Sequence, residues 1–156
     1  MPSLYAENSS RSCVIACQTN WFRLNTTRVC SQTCPEPLFA DPITGYCVYK
    51  CQIDHNYYAD NSTRTCSTTC PDVVVSGQTV DTYADDSTKR CVFQCPYYPR
   101  LYGVNSTNKC VSLCPSGTFG DNHTRVCHDV CFFGSDVGPS STPKYTYADP
   151  TTHFCV

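Results

Sequence analysis

Apolar residues are thinly spread along this chain of 156 residues, and the large ones recur at one fixed place. A Tyr or Phe stands eight residues before a cysteine eight times over: Tyr5, Phe22, Phe39, Tyr58, Tyr83, Tyr102, Phe119 and Tyr147. A small residue and an acid usually follow, then a polar stretch rich in Asn, Ser and Thr, then the cysteine. Short β-favouring runs on either side of turn formers read as paired strands. Between Cys114 and Cys127, for example, Thr118 and Phe119 suit a strand. Gly120, Asp121 and Asn122 are turn residues, and Thr124, Arg125 and Val126 suit the return strand. The pattern predicts a β-hairpin with a cysteine at each foot, repeated in tandem. Repeats of this kind fix the architecture of a chain, and a lone two-stranded hairpin is marginal in water without further support.

The repeat also accounts for all 15 cysteines. Seven of the eight cysteines that close the phrase are followed, after three residues, by a second one: Cys17, Cys34, Cys51, Cys70, Cys95, Cys114 and Cys131. The three-residue spacer never varies, whereas the stretch between pairs runs from 12 to 23 residues. A row of stapled hairpins has this form, and it pairs Cys17–Cys30, Cys34–Cys47, Cys51–Cys66, Cys70–Cys91, Cys95–Cys110, Cys114–Cys127 and Cys131–Cys155. Cys13 is left over for an intermolecular bond or a free thiol. Bonds inside each Cys-x-x-x-Cys, or crossed bonds between neighbouring repeats, satisfy the same spacing, because sequence alone does not fix connectivity. Each closed loop contributes about 3 kcal/mol in the chain-entropy account. Leu and Ile are scarce and there is one Met and one Trp, so cross-links replace burial. The expected fold is small and disulfide-rich, an elongated rod of tandem short β-hairpins with little helix and a minimal core. Residues 1–156 form one continuous array of about eight repeats, the first incomplete and the last ending at Cys155.

Disulfides persist in oxidising compartments, which places the protein outside the cell or on its surface. Five N-glycosylation sequons agree: Asn8, Asn25, Asn61, Asn105 and Asn122 each lie five residues before the cysteine that closes a repeat. Pro42, Asp86 and Pro150 hold that place elsewhere, and a Ser or Thr stands two residues later in all eight repeats. Covalent N-linked glycans are expected at the hairpin tips, and no other cofactor. A formal charge of −2 without basic clusters argues against nucleic acid. No stretch approaches a membrane span, and Met1–Glu7 has neither the basic start nor the apolar run of a secretory signal. The chain reads as a mature segment or a window of a longer array, with both ends held by neighbouring material.

The stretches Cys91-Val92-Phe93-Gln94-Cys95-Pro96 and Cys110-Val111-Ser112-Leu113-Cys114-Pro115-Ser116-Gly117-Thr118-Phe119 resemble the furin-like cysteine-rich repeats of growth-factor receptors. The resemblance covers essentially the whole chain. It is also similar to cysteine-rich repeat surface proteins of single-celled eukaryotes. The receptor family's single-disulfide modules pair their cysteines in the hairpin scheme, so the resemblance implies that scheme here. It also implies that an enlarged finger serves as a contact arm. Two fingers are enlarged, one carrying Val73, Val74 and Val75 and the other Phe132 and Phe133. The regular sequons depart from the receptors, and no kinase, ligand-binding domain or anchor accompanies the repeats.

Catalytic and metal chemistry is not legible. Structural zinc favours Cys-x-x-Cys and clustered His, while His55, His123, His128 and His153 share no register. The recurring acids Asp41, Asp60, Asp85, Asp121 and Asp149 read as turn caps, since calcium needs several oxygens at one point. Five repeats carry a base two residues before the cysteine (Arg11, Arg28, Arg64, Lys89 and Arg125), placed to cross the hairpin toward its own aromatic or to lie solvated. The expected function is structural and not enzymatic: a glycosylated, stapled rod of a surface coat, stalk or fibre, self-associating end to end. The alternative is a receptor or adhesin module that binds a protein ligand.

Overall fold

The computed structural model describes residues 3–51, 56–131 and 147–156. All regular structure among them is β, in eighteen strands of two or three residues, with no helix. Eight tandem hairpins carry sixteen of these strands. In chain order they are Tyr5–Glu7 (β1) with Ser12–Val14 (β2), Phe22–Leu24 (β3) with Val29–Ser31 (β4), Phe39–Asp41 (β5) with Tyr46–Val48 (β6), and Tyr58–Asp60 (β7) with Thr65–Ser67 (β8). An inserted pair, Val73–Val75 (β9) and Gln78–Val80 (β10), precedes Tyr83–Asp85 (β11) with Arg90–Val92 (β12). Then come Tyr102–Val104 (β13) with Lys109–Val111 (β14), Phe119–Gly120 (β15) with Cys127–His128 (β16), and Ala148–Asp149 (β17) with Phe154–Cys155 (β18). The fold is a small disulfide-rich array of tandem hairpins.

The chain divides into two compact units. The first runs to Cys70 and takes in Ser87–Cys91; its strand order is β12-β7-β8-β5-β6-β3-β4-β1-β2. The second comprises Pro71–Asp86 and Val92–Val156. It holds the order β13-β14-β11, the pair β9-β10, and the four strands β16-β15-β18-β17.

Within each unit one joint is repeated. A hairpin pairs antiparallel with itself, as in Tyr58↔Ser67, Ala59↔Cys66 and Asp60↔Thr65. Its first strand then takes the return strand of the next hairpin in parallel, as Ala6 takes Val29 and Ala40 takes Thr65. The hydrogen bond that makes the joint runs from the middle residue of the first strand to one particular carbonyl of the next turn. It appears as Ala6 N to Arg28 O at 2.8 Å, Arg23 N to Gly45 O at 2.9 Å and Ala40 N to Arg64 O at 2.8 Å. It recurs as Ala59 N to Lys89 O, Ala84 N to Asn108 O, Gly103 N to Arg125 O and Gly120 N to His153 O. Edge groups that would otherwise stay unpaired are satisfied in this way.

The accepting residue is always the last of the turn, and its φ is always positive, from 51° at Asn108 to 68° at Gly45. A four-residue loop closes by an i+4 bond, seen at Arg28 N to Leu24 O and Arg125 N to Asp121 O, and it needs a left-handed final residue. This corrects the return strand expected at Thr124–Val126. Thr124 and Arg125 belong to the turn, and the strand begins at Cys127. The base two residues before each cysteine is the left-handed turn residue, not a strand residue.

Cores are small. In the first unit Phe39 packs with Cys51, Ala59 and Cys66, the next hairpin's staple, while Phe22 lies against the cluster holding Cys34 and Cys47. Tyr5, Phe39, Tyr58, Tyr83 and Tyr102 are buried. Phe39 packs on Ala59, and Tyr83 and Tyr102 rest on Gly103 and Gly120, the small middle residues of the following hairpins, and this explains that part of the phrase. A Cβ added to Gly103 would come within 2.5 Å of the Tyr83 ring, and one on Gly120 within 2.8 Å of Tyr102. Tyr147 departs from the pattern, with 68% of its surface exposed.

Candidate functional site

The joint between hairpins is built by side chains as well as backbone. The left-handed turn residue lays its cation on the aromatic of the preceding hairpin. Arg28 lies 5.7 Å from the Tyr5 ring, Arg64 4.4 Å from Phe39, Lys89 5.2 Å from Tyr58 and Arg125 4.5 Å from Tyr102. The base therefore stacks across the joint, not across its own hairpin as expected. Arg125 is buried to 3% exposure, and its Nη2 donates to Pro96 O at 2.8 Å. Its Nε and Nη1 meet no acceptor, so the faces of Tyr97 and Tyr102 take up that side of the charge. Gly45 lacks a side chain at this position, and Arg23 fills the space from the preceding strand. Its guanidinium sits 3.8 Å from the Tyr46 ring and donates to the Gly45 and Thr44 carbonyls.

The acids that end the first strands cap their own turns. Asp41 accepts from Ile43 N at 3.0 Å and Thr44 Oγ1 at 2.8 Å. Asp60 accepts from Ser62 N, Ser62 Oγ and Thr63 Oγ1, and Glu7 from Ser10 Oγ. These bonds, with those of Thr124 to Asp121 and Thr152 to Asp149, give the repeated Ser or Thr a structural duty in five turns. Asp149 is held down to about 2 by the hydroxyls of Thr151 and Thr152 and the Thr151 N–H. At Asp121, burial opposes the charge. Bonds from His123 N and from Thr124 Oγ1 and N, with nearby His128, outweigh it and leave the carboxyl below its usual range.

The five sequon residues Asn8, Asn25, Asn61, Asn105 and Asn122 are all exposed, each opening a turn just after a first strand. Three of them also bond across the joint, which the sequence alone did not suggest. Tyr5 Oη donates to Asn25 Oδ1 at 2.6 Å, Tyr83 Oη to Asn105 Oδ1 at 2.7 Å and Tyr102 Oη to Asn122 Oδ1 at 2.7 Å. Burial pushes the Tyr83 hydroxyl up to about 12, with Asp81 and Asp72 acting the same way, so it stays a donor. The sequence does carry a signal for these pairs. Tyr5, Tyr83 and Tyr102 are followed one repeat later by Asn, and Phe22 and Phe119 by Pro42 and Pro150, although Phe39 is followed by Asn61 and Tyr58 by Asp86.

The sulfurs are bonded Cys17–Cys30, Cys34–Cys47, Cys51–Cys66, Cys70–Cys91, Cys95–Cys110, Cys114–Cys127 and Cys131–Cys155, with Cα atoms 5.4–5.7 Å apart. The pairing is that of the hairpin scheme. Cys13 is an exposed free thiol on β2. Val73, Val74 and Val75 form β9, turned back through Ser76 and Gly77, both at positive φ, onto β10. Val74 is 69% exposed. Phe132, Phe133 and His55 lie outside the described residues. No set of three or more His, Cys, Asp or Glu side chains that could hold a metal ion occurs among the described residues. No helix among the described residues is long and apolar enough to cross a membrane. Comparison with family models, with curated proteins and with solved structures finds no match.

Proposed function

We propose that this chain is an extracellular structural protein: a glycosylated, disulfide-stapled rod that joins end to end in a surface coat, stalk or fibre. The observation that carries this reading is the repeated joint. Seven times a first-strand N–H meets the carbonyl of a left-handed turn residue, and in four of these joints that residue is an Arg or Lys laid on the preceding aromatic. A joint of one design suits an array in which each repeat contacts its neighbours. The seven disulfides fit an oxidising compartment. The exposed Asn of all five sequons supports N-linked glycans there. No catalytic group or metal enters this reading. Electron microscopy of the purified glycoprotein tests it, and filaments or end-joined rods are expected. Compact monomers at every concentration would overturn it.

A protein-binding role in a receptor or adhesin ectodomain is the second reading, and the furin-like resemblance is its origin. The observation favouring it is the β9–β10 hairpin, which holds Val74 and Val75 exposed. Deleting residues 73–80 leaves the stapled hairpins folded under either reading. Loss of self-association on deletion assigns the finger to assembly. Unchanged self-association with loss of a captured protein ligand assigns it to binding.

A further inference from the structure

We propose that Tyr97, Tyr98 and Arg100 form a platform on which the first sugars of the glycan at Asn122 lie, fixing that glycan against the protein. The inference rests on the glycosylated reading above and deepens it at one site. The segment from Cys95 to Tyr102 is two residues longer than the matching segment from Cys114 to Phe119. The extra length forms the turn Tyr97–Arg100, closed by Leu101 N donating to Pro96 O at 3.2 Å.

This turn carries a large bare aromatic surface. Tyr97 is 59% exposed and Tyr98 87%, and their rings meet edge to face with centroids 5.0 Å apart. Nothing in hairpin stapling asks for two exposed tyrosines in succession. Their position relative to the next hairpin's turn supplies a reason. Arg125, the last residue of that turn, stacks on Tyr97 at 5.1 Å and bonds Pro96 O. Arg100 Nη2 donates to Asn122 Oδ1 at 2.7 Å, alongside the Tyr102 hydroxyl. The tyrosine turn and the sequon turn are therefore tied at both ends.

Arg has donors only, so the Asn122 atom it touches is the carbonyl oxygen. Nδ2, the atom that takes sugar, is the other arm of the same planar amide, and Asn122 is exposed. An N-linked chain begins with N-acetylhexosamines. Their rings present flat C–H faces that pack on aromatic rings, and their hydroxyls and acetamide carbonyls accept from a guanidinium. Tyr98 offers the ring face and Arg100 the donor, in the turn that already holds the asparagine.

The test uses the full-length glycoprotein secreted by a eukaryotic host. Intact and peptide masses first establish occupancy at Asn122. Nitration of Tyr98 is then followed in the glycoprotein and in the same folded material after enzymatic glycan release, with exposed Tyr49 as internal reference. Release is expected to raise the Tyr98 rate roughly threefold, the change for a platform covered about two-thirds of the time, and to leave Tyr49 unchanged. In a Tyr97→Ser, Tyr98→Ala variant, release of the Asn122 glycan is expected to speed up relative to release at Asn105. Equal Tyr98 rates with and without the sugar overturn the platform while leaving glycosylation standing. An unmodified Asn122 in every preparation overturns both.

Discussion

At Arg125 a single residue holds two opposing demands. Its φ of 61° is a left-handed conformation that costs an ordinary residue about 1–2 kcal/mol, and Gly escapes that cost. Its guanidinium, almost sealed between Tyr97 and Tyr102, returns a cation–π contact worth up to about 2 kcal/mol when desolvated. The two terms are comparable, so the turn keeps a base where glycine would be the local choice, and Gly45 shows the other solution, with Arg23 supplying the guanidinium. Arg125→Ala keeps the backbone strain and loses the stack, whereas Arg125→Gly loses the stack and relieves the strain. Arg125→Ala is therefore expected to be the less stable by about 1 kcal/mol in denaturant unfolding with disulfides intact. Equal stabilities would mean that strain plays no part. Protonation offers a second handle at this scale. The Asp149 carboxyl is depressed from 3.8 to about 2 in the fold. A depressed carboxyl adds stability above its unfolded value, and that stability is lost as pH falls through the folded one. The cap on Thr151 and Thr152 is thus expected to hold at pH 4 and to release near pH 2. The Thr151 amide proton, followed by NMR, reports the midpoint, and a midpoint near 3.8 would rule the cap out.

Each hairpin is too small to stand alone, and its staple and its neighbour share the work. Strands of three residues bury little, and the clusters at Phe39 and at Leu24 include cysteine sulfur as a main component. Replacing Cys34 and Cys47 together by Ser is expected to cost about 3 kcal/mol by the loop-closure account. Amide exchange should then rise most at Phe39–Asp41 and Tyr46–Val48; a rise spread evenly over every hairpin would contradict a local staple. The staples, the aromatic period and the turn position of the sequons were legible because each recurs at fixed spacing inside one repeat. The joint was not, because its parts lie in different repeats. Tyr102 and Asn122 are 20 residues apart, and Leu38 and Arg64 are 26 apart. A motif drawn within one repeat places Arg64 beside Tyr58, when its ring contact is Phe39. The left-handed φ of Arg and Lys was hidden for a further reason. Turn chemistry is read from Gly, Asn and Asp, and here the long side chain's ring contact makes up for the missing glycine. The inserted β9–β10 hairpin could have been read from Ser76-Gly77 between β-branched residues, which is a type I′ signal.

At the scale of the array, joints whose facing residues match can exchange neighbours. Tyr83 meets Gly103, Asn105 and the Asn108 carbonyl in one joint, and Tyr102 meets Gly120, Asn122 and the Arg125 carbonyl in the next. The two sets have the same register. Excising residues 95–113 joins Gln94 to Cys114 and restores a Cys-x-x-x-Cys spacer. Tyr83 is then expected to sit on Gly120 and bond Asn122, with the Ala84 amide meeting the Arg125 carbonyl. The shortened protein should be secreted with one disulfide fewer and with Cys114–Cys127 intact by peptide mapping. Scrambled bonds would show that repeat order matters after all. Joints that match in this way make repeat number a quantity that unequal recombination can change without passing through an unfolded product. A lineage carrying such a gene can therefore lengthen or shorten the protein one cassette at a time, and each copy arrives already equipped with both halves of its coupling.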